Sequence, residues 1–186
     1  MGEKAVCPGC PHCCSLNEGE YGLCRARKAD GGRVIPANYG KITSLALDPV
    51  EKKPLRRFFP GSLILSVGSF GCNYRCPFCQ NHGISQISER DAQYRYVPPE
   101  SLASMALDLR SRGNIGIAFT YNEPSVSWEY ILDTAEAMKG TDLKLALVTN
   151  GGASPEVWDS LMAVTDAANI DLKSFSERFY RRIGGD

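Results

Sequence analysis

The sequence predicts an α/β protein with a parallel sheet, because short apolar strands alternate with amphipathic helices from residue 63 onward. Parallel strands joined in this way are connected by right-handed crossovers. The apolar fraction of 43% and the charged fraction of 23% are ordinary for a soluble globular protein. A chain of 186 residues suits one domain, or one domain with a small appendage.

Four strand–helix units can be placed along the chain. The predicted strands are four short apolar runs: Leu63–Val67, Ile115–Phe119, Lys144–Val148 and Ala167–Leu172. The helices that follow them begin near Pro98, Trp128, Pro155 and Ser176. The first three have apolar faces at helical spacing, formed by Leu102, Met105, Ala106 and Leu109, by Trp128, Ile131, Leu132 and Ala135, and by Trp158, Leu161 and Met162.

A cysteine cluster occupies residues 1–30, ahead of the strand–helix units. Four thiolates could close a tetrahedral metal site there, with turns supplied by Pro and Gly: Cys7, Cys10, Cys14 and Cys24. Cys13 and His12 are alternative ligands, and the sequence does not choose among them. Thiolates suit both zinc, which we favour slightly, and an auxiliary iron–sulfur cluster. A purely structural role and a role in electron transfer or docking both stay open.

Residues 31–62 are predicted to be a connector. Arg33–Ile35 and Lys41–Leu47 alternate enough to form short strands, and Asp48-Pro49 is expected to break the second one. A basic patch follows, for which we expect a solvated surface: Lys52, Lys53, Arg56 and Arg57.

A second cysteine loop directly follows the first predicted strand. Its thiols are Cys72, Cys76 and Cys79, at the spacing C-x3-C-x2-C. A closed zinc site needs four protein ligands, and cubane iron–sulfur clusters normally take four cysteines. Three thiols in one loop therefore suggest a metal centre with one position open to a small molecule. A zinc loop completed by a distant ligand, or a cluster that only relays electrons, is the alternative.

The loop, with Phe78 just before its last cysteine, resembles the signature of radical S-adenosylmethionine (SAM) enzymes. The string GCNYRCPFCQNHGISQ, residues 71–86, is similar to the radical SAM member of the AmmeMemoRadiSam group, which resembles pyruvate formate-lyase activating enzymes. The resemblance implies that residues 63–186 form a partial (β/α)6 radical SAM barrel. Relatives build six units, so we expect the chain to be a fragment.

The same resemblance implies the cofactors and the chemistry. Cys72, Cys76 and Cys79 would be the catalytic residues that hold a [4Fe–4S] cluster, and the amine and carboxylate of SAM would chelate the fourth iron. Reductive cleavage of SAM would give a 5′-deoxyadenosyl radical that abstracts a hydrogen atom from an unidentified substrate. A protein glycyl position is one candidate. Oxygen sensitivity and an electron donor such as flavodoxin or ferredoxin are expected, with Memo-like and other AmmeMemoRadiSam-system proteins as possible partners.

Polar residues follow the other three predicted strands. They are Asn122 and Glu123, then Thr149 and Asn150, then Asp171 and Lys173. Because the carboxyl ends of parallel strands share one rim, we expect these side chains to lie beside the cysteine loop.

By resemblance, these rim residues are candidate SAM ligands. Glu123 and the backbone around Asn122 would meet the methionyl amine, and Lys173 would meet the carboxylate. Asp171 and Thr149 would hold Lys173 or a ribose hydroxyl, while Phe78 would lie near the adenine.

Each of these residues also has a plainer interpretation. Glu123-Pro124 could simply begin a helix, Asn150-Gly151 is an ordinary turn signal, and Asp171 and Lys173 could form a surface ion pair. Val148 also stands where activating enzymes are expected to have an Asp, so we predict no monovalent-metal site.

Charge and cysteine usage bear on partners and location. Lys+Arg and Asp+Glu are both 21, which gives no support for nucleic acid or an anionic membrane as a partner. The chain has no membrane-length apolar run, and we expect no secretory signal at residues 1–4. The cysteine spacings then indicate metal binding in a reducing compartment, so we predict a cytoplasmic protein.

The alternative function is a non-enzymatic zinc or iron–sulfur module for partner docking or electron transfer.

Overall fold

The computed structural model describes residues 4–184. Residues 1–3 and 185–186, which belong to the predicted cysteine-rich segment and partial barrel, lie outside the described residues, as does most of the stretch at which we expected no secretory signal. The β-strands are β1 (Ala5–Val6), β2 (Ser15–Leu16), β3 (Arg27–Asp30), β4 (Arg33–Pro36), β5 (Lys41–Ile42), β6 (Ser44–Pro49), β7 (Leu63–Gly68), β8 (Arg95–Tyr96), β9 (Asn114–Phe119), β10 (Lys144–Thr149) and β11 (Ala167–Ile170). The α-helices are α1 (His82–Ser85), α2 (Pro99–Asp108), α3 (Trp128–Ala137), α4 (Pro155–Met162) and α5 (Glu177–Gly184). Short 3-10 helices cover Val50–Lys52, Arg110–Arg112 and Pro124–Ser127.

The central sheet has five strands in the order β11-β10-β9-β7-β6. The strands β7, β9, β10 and β11 are parallel, which confirms the predicted parallel arrangement. The fifth strand, β6, pairs antiparallel with β7 from Ser44 opposite Gly68 to Pro49 opposite Leu63. The break predicted at Asp48-Pro49 comes two residues later than expected, because pairing with β7 extends the strand beyond Leu47 and it ends at Pro49. The sheet is mixed, and β6 covers the edge of β7.

The main hydrophobic core lies between one face of the sheet and the helices α2, α3 and α4. Leu102 and Ile131 on the helices and Ile117 in the central strand are each 0–1% exposed. Met162, predicted to face inward, is 41% exposed. In α4 the buried residues are Val157 and Leu161, four positions apart, and the residue after Leu161 turns about 100° away from that face.

The other face of the sheet is lined by small side chains and covered by the segment after β6. Ser66, Ala118 and Ala146 stand side by side in the strand register, and all are fully buried. Val50 and Leu55 pack over this face. The predicted connector thus supplies both an edge strand and part of the core. None of the helices between residues 4 and 184 has the length and apolarity required to cross a bilayer.

A buried ion pair lies at the same face. Lys53, predicted to be on a solvated surface, has a side chain that is 4% exposed, and its Nζ lies 3.0 Å from Asp48 Oδ2. The hydroxyl of Tyr121 donates to the same carboxylate oxygen at 2.8 Å. Burial alone would raise the pKa of Asp48, but hydrogen bonds from Tyr121, Lys53 and Lys52 hold it well below its usual range. The sequence gives no hint of this pairing, because Tyr121 is far from Asp48 along the chain.

Replacing Asp48 should destabilise the fold, because the buried Lys53 ammonium depends on its charge. Asp48→Asn leaves the Lys53 ammonium buried without a counter-charge, at an expected cost of about 3–5 kcal/mol in the free energy of unfolding. Adding Lys53→Met to that variant should recover much of the loss. Urea unfolding measures both. Glu136→Gln, which breaks an exposed pair with Lys139, serves as control and should change stability by less than about 1 kcal/mol. A double variant no more stable than Asp48→Asn would contradict this account.

Candidate functional site

The cysteine loop follows β7, which ends at Gly68, and hydrogen bonds to a neighbouring loop hold it from its first residue, Ser69. Asn122, in the loop after β9, accepts a hydrogen bond from Ser69 N and donates to the carbonyls of Phe70 and Gly71. Gly71 has φ +87°, and a Cβ there would lie 2.6 Å from the Cys24 carbonyl oxygen. Only glycine allows this close approach between the loop and the N-terminal segment.

A pocket of about 280 Å³ opens at the carboxyl ends of the parallel strands. It brings together every residue that we predicted around the loop and rim: Cys72, Cys76, Phe78, Cys79, Asn122, Glu123, Thr149, Asn150, Asp171 and Lys173. Val148 also lines it, at the position where an acidic side chain was expected by resemblance. The parallel register of β7, β9 and β10 produces this grouping, because it ends the three strands at one edge.

The three thiols of the loop have different surroundings. Cys72 Sγ accepts from the backbone N–H of Tyr74 at 3.4 Å and from Asn150 Nδ2 at 3.6 Å. Burial, followed by the charge of Glu123, raises the pKa of the Cys72 thiol to about 12. Cys79 Sγ lies 3.2 Å from the Ser85 hydroxyl. A buried thiol of this kind becomes a thiolate only when a strong positive charge, such as a metal, binds it.

Glu123 is buried at the back of the pocket and joins two strand ends. Its carboxylate accepts from Thr149 Oγ1 at 2.7 Å, from Asn150 N at 2.8 Å and from Ser125 N at 3.1 Å. The last contact caps the helix Pro124–Ser127, as the plainer interpretation of Glu123-Pro124 expects. Burial raises the pKa of Glu123 although all these donors favour its charged form. A carboxylate has about four acceptor sites, so the protein leaves capacity for a further donor.

Two asparagine side chains connect the cysteine loop to the loop after β10. Asn150 Nδ2 donates to Asn73 Oδ1 at 2.8 Å, and Asn73 Nδ2 donates to the Gly152 carbonyl at 2.8 Å. Asn150 Oδ1 accepts from Gly152 N at 2.8 Å. The turn expected at Asn150-Gly151 is present, and the Asn150 side chain also holds the cysteine loop.

Charged and aromatic groups stand at the mouth of the pocket. Lys173 Nζ lies 2.6 Å from Asp171 Oδ2. Burial lowers the pKa of Lys173, but Asp171 and the nearby Cys76 and Cys72 thiols outweigh it and raise the pKa overall. Phe78 is 57% exposed, and its ring stacks on Phe179 with centroids 6.1 Å apart.

The N-terminal cysteines form a second group directly behind the cysteine loop. The pairing of β1 with β2 places Cys7 N 2.9 Å from the Cys14 carbonyl. A small cavity is lined by all four predicted ligands, together with His12: Cys7, Cys10, Cys14 and Cys24. Cys13 is exposed and absent from its lining.

Comparison with known proteins identifies the family. Residues 66–186 match the sequence profile of the radical SAM superfamily. The chain belongs to this superfamily. Membership implies a [4Fe–4S] cluster and SAM as cofactors.

Two curated proteins resemble the radical SAM chain described above. An uncharacterized protein of Methanocaldococcus jannaschii, MJ0808, is 37% identical over 180 residues, which are 97% of this chain and 52% of that protein. A probable GTP 3′,8-cyclase of Thermococcus kodakarensis is 30% identical over 115 residues, which are 61% of this chain and 36% of that protein. The chain therefore spans about half and about a third of the lengths of these relatives.

The loop thiols fit a radical SAM cluster. Across residues 4–184, no three His, Cys, Asp or Glu side chains converge on a single ion position. A cubane cluster does not require such convergence, because each thiolate binds a different iron. Cys72, Cys76 and Cys79 share one open pocket, and hydrogen-bond donors already face Cys72 Sγ.

Two of the predicted rim residues make hydrogen bonds within the protein. The side chains of Asn122 and Thr149 are bonded to protein groups, so they support the site instead of pointing freely into it. Sequence reasoning assigned no side-chain role to further residues that line the pocket: Tyr74, Gln80, Asn81, Ser85, Gln86, Thr120 and Tyr121. The five of these residues that lie between positions 71 and 86 belong to the string that carries the family resemblance, so that resemblance could have indicated them. Tyr121 has φ +74°, and no sequence pattern indicates it.

Removing the hydroxyl that supports Glu123 should make stability more sensitive to pH. Burial raises the pKa of Glu123 in the folded state. The folded state therefore binds a proton at Glu123 more tightly than the unfolded state does, and this contribution to stability at low pH is lost as pH rises through the folded-state pKa. Thr149→Val removes a donor that favours the carboxylate and raises the pKa further. We expect a loss of about 1–3 kcal/mol in the free energy of unfolding at pH 8 and a smaller loss at pH 5.

Urea unfolding at the two pH values measures this difference. Thr165→Val is the matched control, since the Thr165 hydroxyl donates only to the Leu161 carbonyl and its loss should not depend on pH. An equal loss at both pH values for Thr149→Val would show that Glu123 is not the group affected.

Proposed function

We propose that this chain is the catalytic part of a radical SAM enzyme of the AmmeMemoRadiSam group, similar to pyruvate formate-lyase activating enzymes. The observation that carries the proposal is the single pocket shared by the three loop cysteines and the polar ends of three strands. If the loop cysteines were the only feature here, the site would suit a cluster that only carries electrons. The pocket beside them also contains the buried carboxylate of Glu123 and the ammonium of Lys173, which suit a small molecule that carries both a positive and a negative charge.

Cys72, Cys76 and Cys79 hold the cluster in this proposal, and their three thiolates leave one iron for SAM. When bound, the cluster and SAM supply reductive cleavage of a carbon–sulfur bond and a 5′-deoxyadenosyl radical that can take a hydrogen atom from a substrate. The chain supplies orientation and electrostatics. The Tyr74 N–H and the Asn150 amide stabilise negative charge on Cys72 Sγ.

SAM would bind through the charges at its methionyl end. Lys173 would pair with the carboxylate while keeping Asp171 as its partner, and the unused acceptor capacity of Glu123 would take the amine. Thr149 and the loop around Asn122 would act by fixing Glu123 and the start of the cysteine loop. Phe78, at the exposed mouth, would lie near the adenine.

The wider setting follows from the same family assignment. The four parallel strands would form part of a (β/α)6 barrel, and the substrate would be a small molecule or a protein glycyl position. A flavodoxin or ferredoxin would supply electrons in a cytoplasmic, oxygen-poor setting, and Memo-like proteins of the AmmeMemoRadiSam system would be partners. The alternative, a zinc or iron–sulfur module without enzymatic activity, does not account for the charged pocket beside the loop.

Reductive cleavage of SAM tests the proposal. Anaerobically reconstituted wild-type protein with SAM and dithionite should release 5′-deoxyadenosine, measured by chromatography. Cys76→Ser should abolish the release, because the cluster loses a ligand. Cys13→Ser changes an exposed cysteine outside both cavities and should leave the release unchanged. Zinc at both cysteine groups with no visible iron–sulfur absorbance would instead support the non-enzymatic alternative.

Lys173 should contribute to SAM affinity. Lys173→Met removes a charge-assisted hydrogen bond of about 1.5–3 kcal/mol, so we expect the Kd for SAM to rise by about tenfold or more. Isothermal titration of the reconstituted protein measures this Kd. Lys139→Met, at an exposed lysine that does not line the pocket, is the control and should bind SAM like the wild type. An unchanged Kd for Lys173→Met would remove this residue from the proposed site.

A further inference from the structure

The N-terminal cysteine cavity has the features of a built site. Two of its thiols, Cys7 and Cys24, are 5% and 7% exposed, and Cys10 and Cys14 are half-buried around the same space. Four free thiols that line one cavity and make no disulfide are the ligand set of a soft metal ion.

Arg27 provides an independent observation that suits an anionic group in this cavity. The residue is 3% exposed and lines the cavity with the four cysteines. Its Nη atoms form a bidentate pair with Glu129, at 2.7 and 2.9 Å, while its Nε has no hydrogen-bond partner among residues 4–184. A buried N–H without a partner is costly, and a complex of metal and thiolates would supply an acceptor.

The size of the cavity favours one ion over a cluster. Its volume is about 10 Å³, which is about the space of one water-sized probe. Packing closes its walls, since a Cβ on Gly9 would lie 2.6 Å from the Trp128 ring and the Arg27 guanidinium lies 3.6 Å from the centre of that ring. An eight-atom cubane would have to push this packing apart. A single ion requires only that the four thiols, which do not converge on one ion position, turn inward.

We propose that Cys7, Cys10, Cys14 and Cys24 bind one zinc ion and that this site braces the radical SAM cluster loop. Four Zn–S bonds form, and each thiol releases its proton to solvent. The Cys24 carbonyl accepts a hydrogen bond from Cys72 N at 3.1 Å, so a metal ligand and a cluster ligand are joined through one backbone contact. His12 Nε2 lies 2.9 Å from the Asn73 carbonyl and ties the same two segments together. Zinc therefore fixes the segment against which the cluster loop is folded.

Metal counting on the anaerobically reconstituted protein tests this site independently of SAM cleavage. The wild type, prepared with zinc and iron present, should contain about one zinc and about four iron per chain. Cys10→Ser and Cys14→Ser should lose the zinc, whereas Cys13→Ser should keep both metals. Cys76→Ser should lose the iron and keep the zinc. This pattern would stand even if no 5′-deoxyadenosine were formed.

Cobalt binding covers the case in which the cysteine variants do not fold. Wild-type protein purified without zinc and supplied with Co²⁺ should show the intense visible bands of a tetrahedral cobalt–thiolate site, and added zinc should abolish them. Absence of these bands, absence of zinc from the wild type, or retention of zinc in Cys10→Ser would overturn the proposal. Iron and sulfide in excess of one cubane, lost in Cys10→Ser, would overturn it in favour of a second cluster.

Discussion

The buried carboxylate of Glu123 is the contact on which the arrangement of the site depends. It sits just beyond β9 and accepts hydrogen bonds from Thr149 and Asn150 at the end of β10. Asn150 in turn bonds to Asn73 beside the first cluster cysteine. One ionisable group thus connects three loops at the same edge of the sheet. Burying a carboxylate is unfavourable unless donors surround it, so the three loops have to close together for the fold to tolerate this residue.

The cluster loop is held from a second side by the N-terminal segment. Gly71 lets the Cys24 carbonyl approach, and the next residue, Cys72, donates its N–H to that carbonyl. The loop that carries the thiols is therefore enclosed between strand ends on one side and a cysteine-rich segment on the other. Such fixing keeps three ligands in place while leaving the pocket open above them. Radical SAM chemistry needs both conditions, a firmly held cluster and an accessible iron.

The sequence predicted the parts of the fold that depend on local pattern. Four apolar runs became four parallel strands within two residues of their expected ends, and the cysteine spacing located the pocket. Met162 failed for a local reason, since it lies one residue past the buried face of α4, whereas the other failures depended on partners distant in the chain. Pairing with β7 carries β6 through Pro49, and Asp48 and Tyr121 draw Lys53 into the interior. Asn73 looked like an ordinary loop residue because its partners, Asn150 and Gly152, lie more than 70 positions away.

The central claim is that three thiolates from one loop leave an iron on which SAM docks. Electron–nuclear double resonance on the reduced protein measures this most directly, with SAM isotopically labelled at its amine nitrogen and carboxylate oxygen. The account predicts coupling of both labels to the cluster spin in the wild type. Coupling to a fourth protein ligand, with no coupling to either label, would contradict it.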